Sequence, residues 1–223
     1  MAQEIEFTAS DGHRFSAYAA QPQGQGKGTI IVLQEIFGVN AHIRSVCDRL
    51  ARSGYTAIAP ALFDRLQRDF ESGYSPDEVQ QARGLAKDFS FAAALLDVCA
   101  VYEDRRSDGP IGVIGFCLGG SLSYAAALEI PGLAAGVGYY GARIGDLAER
   151  PAQAPVQLHF GDRDKSIPLS VVEKVKALRP EVETHVYAAE HGFNCDMRSS
   201  YDAPSAQLAW QRTLDHFERH LGH

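Results

Sequence analysis

The sequence lacks the features of membrane, secreted and nucleic-acid-binding proteins. No window approaches about 18 uninterrupted apolar residues, so we expect no membrane-spanning helix. The N-terminus reads MAQEIEFTAS, without the basic start and apolar run of a secretory signal. Lysine and arginine number 21 against 28 acidic residues, and no basic cluster of the kind that grips phosphate backbones is present. We therefore expect a soluble, cytoplasmic protein with neither a membrane nor a nucleic-acid partner.

Cysteine is also scarce. The four thiols, Cys47, Cys99, Cys117 and Cys195, show neither a CxxC pair nor the spacing of a disulfide framework. Cys195 lies four residues after His191, but no further ligands are grouped with that pair, so we expect no metal site. Cys47 and Cys99 lie on the apolar faces of predicted helices, which favours plain core positions. We expect free thiols, no metal and no cofactor.

The sequence does contain a regular alternation of apolar runs with amphipathic segments along its 223 residues. An opening hairpin is predicted from the alternation on both sides of a Ser-Asp-Gly turn at residues 10–12. The predicted strands are Glu4–Thr8, Arg14–Ala20, Thr29–Leu33, Tyr55–Ala59, Ile111–Phe116, Leu133–Tyr140, Val156–Gly161 and Thr184–Ala188. Most of these strands are continuous apolar runs, as is typical of parallel sheets buried on both faces.

Helices are predicted between the strands. They cover Asn40–Ser53, a long stretch from the Ser75 cap to about Arg105, Gly119–Leu128, Leu169–Leu178 and Ser205–Leu221. In the last helix we expect an inward face of Leu208, Trp210, Leu214, Phe217 and Leu221. Alternating strands and helices predict an α/β fold, with a mostly parallel sheet of about eight strands flanked by helices on both faces. We expect a single domain over residues 1–223.

The strongest chemical motif is GFCLGG at residues 115–120. It follows a predicted strand and opens a predicted helix, like the G-x-S-x-G nucleophile elbow with Cys117 in place of serine. Such a turn holds the sulfur above the carboxyl ends of the strands, and the helix N-terminus favours a thiolate. Cys117 could instead be a buried apolar cysteine in a glycine-rich turn. Its placement between strand and helix favours the nucleophile.

An α/β-hydrolase triad follows the chain order nucleophile, acid, histidine. Asp164 lies in the loop after the strand Val156–Gly161, and His191 follows the last predicted strand. Asp162 is the alternative acid, although a turn aspartate often bonds the amides of its own loop. His191 alone among the histidines combines a strand-end position with the required order. We expect it to exchange a proton with Cys117 while Asp164 fixes its tautomer.

Four segments together resemble the dienelactone hydrolase family (carboxymethylenebutenolidases). They are QEIFGVN at 34–40, GFCLGG at 115–120, GYYG at 138–141 and HGFN at 191–194, and the likeness runs over nearly the whole chain. The resemblance implies an α/β-hydrolase fold and a triad of Cys117, Asp164 and His191. It also implies that the protein opens an ester or lactone bond in a small-molecule substrate.

The resemblance implies further roles around the nucleophile. The Glu35 carboxylate is expected to contact the resting thiol and to help activate it. The backbone amides of Ile36 and Leu118 are expected to form the oxyanion hole. Phe37 and Tyr139, which belong to the matching segments, are expected to contact substrate. From the residues alone, a carboxylate just past a buried strand needs a partner or a function, although Glu35 could also cap the helix near Asn40.

One departure concerns substrate choice. Family members that hydrolyse the acidic diene lactone look to have two arginines that bind its carboxylate. The nearest candidates here, Arg83 and Arg198, are both displaced from the family positions, and either could be a solvated surface residue. A lactone or ester hydrolase is therefore the first hypothesis. A general carboxylesterase or thioesterase is the second, and a non-catalytic binding protein of the same fold is the third. We expect a monomer or a dimer.

Overall fold

A computed structural model of the protein describes residues 2–222. The chain forms two compact units, the first ending at Ile111 and the second running from Gly112 to Gly222. Each unit has its own strands and helices. The expectation of one domain over residues 1–223 stays a prediction.

The first unit contains the hairpin and the first buried strands. Its elements are β1 (Ala2–Thr8), β2 (Arg14–Ala20), β3 (Thr29–Leu33), α1 (Ala41–Arg52), β4 (Thr56–Pro60), a 3-10 helix (Leu62–Arg65), α2 (Pro76–Ala86) and α3 (Phe91–Arg105). The strand order is β1-β2-β4-β3. β2 pairs antiparallel with both β1 and β4, whereas β3 and β4 run parallel. The predicted hairpin is confirmed.

The second unit alternates strands and helices throughout. Its elements are β5 (Ile111–Phe116), α4 (Leu118–Glu129), β6 (Ala135–Tyr139), α5 (Ile144–Leu147), β7 (Val156–Gly161), α6 (Leu169–Leu178), β8 (Glu183–Tyr187) and α7 (Ala203–Leu221). The strands lie in the order β5-β6-β7-β8 and every neighbouring pair is parallel. Over the described residues the two units together provide eight strands, mostly in parallel pairs, which confirms the predicted fold class.

Two helix predictions were wrong in detail. The long helix from Ser75 to Arg105 is two helices, because Ser90 caps a new start by accepting a hydrogen bond from the Ala93 N–H at 3.3 Å. Phe89 precedes that cap and packs on Phe63, with ring centroids 5.6 Å apart. In α7, Leu208 is 47% exposed. Smaller residues, including Ala206, Ala209 and Thr213, form the inward face in its place.

Among the described helices, none is both long and apolar enough to cross a membrane.

Glycines allow α4 to lie close to the strands of the second unit. A Cβ atom on Gly115 would overlap the carbonyl group of Gly119, and one on Gly120 would overlap the carbonyl oxygen of Tyr139. On β6, a Cβ atom on Gly138 would meet the Gly120 carbonyl oxygen at 2.9 Å. Backbone therefore meets backbone where β5 turns into α4, and this contact fixes the position of the turn.

Candidate active site

Cys117 occupies the turn between β5 and α4. Its backbone has φ 54° and ψ −110°, a conformation that side-chain-bearing residues rarely adopt and that is found mainly at functional sites. The Cys117 N–H donates to the Tyr139 carbonyl oxygen at 3.0 Å, which ties the turn to the end of β6. The side chain is half-buried, so the thiol is accessible from solvent. The turn has the conformation predicted for a nucleophile elbow.

Asp164 lies in the loop that follows β7, and its carboxylate is fully buried. One oxygen, Oδ1, accepts hydrogen bonds from the N–H groups of Ser166 at 2.8 Å and Ile167 at 3.2 Å. These bonds hold the carboxylate in one orientation and leave Oδ2 for a second partner. Asp162, the alternative acid, is exposed, with Arg163 Nε 3.8 Å from its carboxylate.

His191 connects the other two residues. Its Nδ1 is 2.7 Å from Asp164 Oδ2, and its Nε2 is 3.1 Å from Cys117 Sγ. Gly192, the next residue, has φ +80°, which favours glycine and lets the loop turn after the imidazole. The structure thus brings together Cys117, Asp164 and His191, and selects Asp164 over Asp162 as the partner of the imidazole.

The protonation of His191 follows from these contacts. Burial acts to lower its pKa, but the hydrogen bonds and charges of Asp164 and Cys117 outweigh burial and raise the pKa to about 10. The imidazole is therefore protonated at neutral pH, between two acidic partners. The protonated imidazole lies 3.1 Å from the Cys117 sulfur, within reach for proton exchange with it.

Leu118 and Tyr139 flank the nucleophile in the second unit. Leu118 is the first residue of α4, where backbone N–H groups have no acceptor within the helix and the helix dipole favours negative charge. Its amide is therefore suited to an oxyanion. Tyr139 is fully buried, and its hydroxyl is 2.7 Å from Thr213 Oγ1. That Tyr139 contacts substrate stays a prediction.

Arg198 lies beside the catalytic loop. A Cβ atom on Gly192 would be 2.5 Å from the Arg198 Nη1, so the guanidinium lies directly against the backbone that follows His191. Sequence spacing alone did not reveal this proximity, because the intervening loop folds back. The Arg198 guanidinium therefore lies beside the loop that contains His191. That Arg198 binds substrate stays a prediction.

The remaining predicted residues belong to the first unit. Glu35 follows β3, is 1% exposed, and accepts a hydrogen bond at 3.4 Å from the hydroxyl of Tyr74. The cap of α1 is Asn40, whose side chain accepts from the Ile43 N–H at 3.3 Å, so Glu35 does not have the capping role considered as its alternative. Phe37 packs edge-on against Tyr74, with centroids 4.7 Å apart.

Ile36 is half-buried next to Glu35, and Arg83 is exposed on α2. The roles predicted for these residues, the oxyanion hole for Ile36 and substrate binding for Arg83 and Phe37, stay predictions. Within the first unit, the sequence did not point to Tyr74. It lies in the irregular segment before α2, without a periodic pattern around it.

Tyr140 was also missed in the second unit. It has φ 38° and its ring centroid is 5.0 Å from that of His191, so a strained residue packs directly on the imidazole. The available signal was the GYYG motif itself, since a glycine pair around two tyrosines at a strand end favours a strained turn. His159, assigned only to a strand from the sequence, is fully buried and bonded through both ring nitrogens.

Comparison with known proteins agrees with this geometry. A family model described as "Dienelactone hydrolase family" matches residues 15–221. A Synechocystis protein named a candidate carboxymethylenebutenolidase is 35% identical, and the alignment covers 93% of each chain. An Escherichia coli K12 protein with the same name is 36% identical over 96% of this chain and 85% of its own length.

A solved structure gives the same result. The crystal structure of a candidate dienelactone hydrolase from Klebsiella pneumoniae superimposes with a TM-score of 0.84 at 34% identity. The superposition covers 98% of this chain and 99% of that one. With the predicted motifs, the fold and these relatives in agreement, the chain belongs to the dienelactone hydrolase family.

Proposed function

We propose that the protein hydrolyses a carboxylic ester or lactone with Cys117 as nucleophile, His191 as proton carrier and Asp164 as the group that orients the imidazole. The observation that carries this proposal is the position of His191, 2.7 Å from the acid and 3.1 Å from the sulfur. A histidine that served only to pack the core would not need a strained cysteine on one side and a buried carboxylate on the other. A base bonded both to its nucleophile and to an orienting acid is the arrangement that nucleophilic catalysis requires.

The chemistry follows from these contacts. The Cys117 thiolate attacks the carbonyl carbon, and the negative charge moves to the carbonyl oxygen, where the Leu118 N–H stabilises it. The carbon–oxygen single bond then breaks, and His191 gives its proton to the departing oxygen. This leaves a thioester on Cys117. His191 next removes a proton from water, which attacks the thioester and releases a carboxylic acid and the thiolate. In a lactone, the alcohol and the acid remain in one molecule.

The resemblance supports two further contributions. The Ile36 N–H would be a second oxyanion donor, and such donors each contribute about 3 kcal/mol to the stability of the transition state. The Glu35 carboxylate would assist activation of the thiol. Its near-complete burial supports a specific role, because a buried carboxylate costs free energy unless it is bonded and used.

Arg198 supports an acidic substrate. Its guanidinium lies against the backbone of Gly192, the residue after the proposed base, so Arg198 is the cation that would bind a carboxylate on the substrate. The competing hypothesis is a general carboxylesterase or thioesterase that has no preference for acids. Hydrolysis of an acidic enol lactone and of its neutral methyl ester, by the wild type and by Arg198→Met, separates the two. Loss of the acid preference in the variant supports the first hypothesis.

The nucleophile is tested with an activated aryl ester such as p-nitrophenyl acetate. We expect hydrolysis by the wild type to be abolished by iodoacetamide and by Cys117→Ala. Cys99, the other half-buried thiol, provides the matched control, because Cys99→Ser removes a partly exposed thiol elsewhere and is expected to keep full activity. Activity that survives alkylation, or that persists in Cys117→Ala, would exclude Cys117 as the nucleophile.

A further inference from the structure

A row of stacked rings crosses the four strands of the second unit. Phe116, Tyr139, His159 and His185 are successive cross-strand partners on β5, β6, β7 and β8. Their ring centroids are 4.9 Å, 4.4 Å and 5.5 Å apart, in that order. Phe116 directly precedes Cys117. The row of rings therefore begins one residue before the proposed nucleophile.

His159 is the polar member at the centre of this row. Its Nδ1 is 2.8 Å from the Tyr187 hydroxyl, which accepts a hydrogen bond from Arg212 and so has its proton available for the imidazole. Its Nε2 is 2.9 Å from the Gln157 side-chain oxygen, and the amide of Gln157 donates to Glu183. A neutral imidazole with its proton on Nε2 satisfies both bonds, with Nδ1 accepting from Tyr187 and Nε2 donating to Gln157.

The same proton also faces α7. Thr213 Oγ1 is 3.2 Å from His159 Nε2 and 2.7 Å from the Tyr139 hydroxyl. Burial, followed by the charges of His185, Arg212 and His216, holds the pKa of His159 well below its ordinary value, so the neutral form is the stable one. His159 thus joins β6 through Thr213, and β8 through Tyr187, by side-chain bonds that are fully buried.

The residues that His159 joins also hold the proposed triad through their backbones. The Tyr139 carbonyl accepts the Cys117 N–H at 3.0 Å, and the His159 carbonyl accepts the Tyr140 N–H at 2.8 Å. The Tyr187 carbonyl accepts the N–H groups of Asp162 and Ala189, both at 2.8 Å. Those two amides begin the loops that hold Asp164 and His191. Cys117 is therefore hydrogen-bonded directly to Tyr139, and Asp164 and His191 each lie two residues after an amide that is bonded to Tyr187.

We propose that His159 is a positioning residue, whose neutral imidazole fixes the relative positions of the strand ends that hold Cys117, Asp164 and His191. This inference rests on the proposed function. A fully satisfied buried polar network has one low-energy arrangement, whereas an apolar contact tolerates sliding. Small displacements of reacting groups are costly to catalysis, so the network acts on the rate and not on substrate binding.

The test is His159→Phe, which keeps the stacked ring and removes every hydrogen bond. We expect kcat for the aryl ester to fall about tenfold or more with KM nearly unchanged, since misplacement of reacting groups affects the chemical step. We also expect the downfield proton signal of the His191 Nδ1–H bonded to Asp164 to shift or broaden in the NMR spectrum. That signal reports the geometry of the pair without requiring turnover.

Val156→Ala is the matched control. Val156 is buried on β7, the strand of His159, but its side chain lies on the opposite face, so its truncation weakens the fold without removing a hydrogen bond of the network. We expect the control to lose stability while kcat and the NMR signal stay at wild-type values. Equal losses of kcat in the control and in His159→Phe would show that general destabilisation explains the effect, and would overturn the proposal.

Tyr187→Phe keeps the test decisive if His159→Phe does not fold. It removes the hydroxyl that donates to Nδ1 and accepts from Arg212, and we expect about a threefold fall in kcat together with a shift of the same signal. Wild-type values of both in a folded variant overturn the positioning role. Failure of the proposed function is seen separately, because Cys117→Ala would then retain activity whatever the His159 variants do.

Discussion

At the scale of single residues, two aspartates in one loop have different environments. Asp164 has no exposed side-chain surface and its two oxygens serve different partners, two amides on one side and His191 on the other. Asp162 is exposed and its nearest cation is Arg163, at 3.8 Å. From the sequence, the two aspartates could be ranked as the catalytic acid only by their positions in the loop. Burial and bonding separate an orienting acid from a surface charge.

Asp164→Asn is expected to lower kcat on the order of a thousandfold, because the amide can donate to Nδ1 and so stabilise the wrong tautomer of His191. Asp162→Asn, two residues away, is its control and is expected to keep wild-type kcat. The measurement is steady-state hydrolysis of the same aryl ester at pH 7. The assignment of the acid fails if Asp162→Asn is the more damaging change.

At the scale of elements, the contact between α4 and the strand ends depends on missing side chains. Gly115, Gly120 and Gly138 lie where backbone atoms meet, so the elbow is fixed by steric exclusion. Gly84 in α2 is the opposite case, since a Cβ atom there meets nothing within 4 Å. The same residue type therefore has opposite consequences in the two helices.

Gly120→Ala is expected to reduce both stability and activity, because its Cβ atom would overlap the Tyr139 carbonyl that accepts the Cys117 N–H. Gly84→Ala is expected to raise the free energy of unfolding by about 0.5–1 kcal/mol, since alanine favours the helix and no clash opposes it. Urea unfolding followed by circular dichroism checks both. A stable, fully active Gly120→Ala would show that the contact has room to relax.

Much of the second unit was predictable because its signals are local. Buried strands, the elbow motif and the acid and base at the strand ends each depend on a few adjacent residues. The break between α2 and α3 was not predictable from periodicity, since the apolar spacing continues across it and only the cap at Ser90 divides it. The side-chain hydrogen bonds of His159 depend on two strands, β7 and β8, meeting α7 in space. The sequence indicates these contacts only weakly, by one aromatic residue or histidine near the end of each strand.

At the scale of the molecule, buried neutral histidines link stability to pH. His216 is 1% exposed, and its Nδ1 lies 4.0 Å from the Glu183 carboxylate. Burial, and then the charge of His220, lowers its pKa to about 4, while Glu183 opposes this shift. Below the ordinary histidine pKa of 6.5 the unfolded chain takes up a proton that the folded chain does not accept. Stability is therefore lost as the pH falls from 6.5 towards 4.

We expect the free energy of unfolding to decrease over that range, with His216 contributing on the order of 3 kcal/mol. His216→Phe keeps a buried ring without a titrating group, so its stability should decrease less. Urea midpoints of the two proteins at pH 7, 6, 5 and 4.5 measure the difference. Parallel curves for both proteins would contradict the assignment.

The four thiols differ in their exposure to solvent, and this difference determines which of them is oxidised first during storage. Cys47 and Cys195 are buried, and burial raises the pKa of the half-buried Cys99 thiol, whereas the half-buried Cys117 has the His191 imidazole 3.1 Å from its sulfur. Mild oxidation should therefore begin at Cys117 with a sulfenic acid, which a thiol reductant reverses. An aged sample is expected to be inactive but folded, with activity restored by dithiothreitol. The amount of folded protein measured by circular dichroism then overestimates the amount of active enzyme.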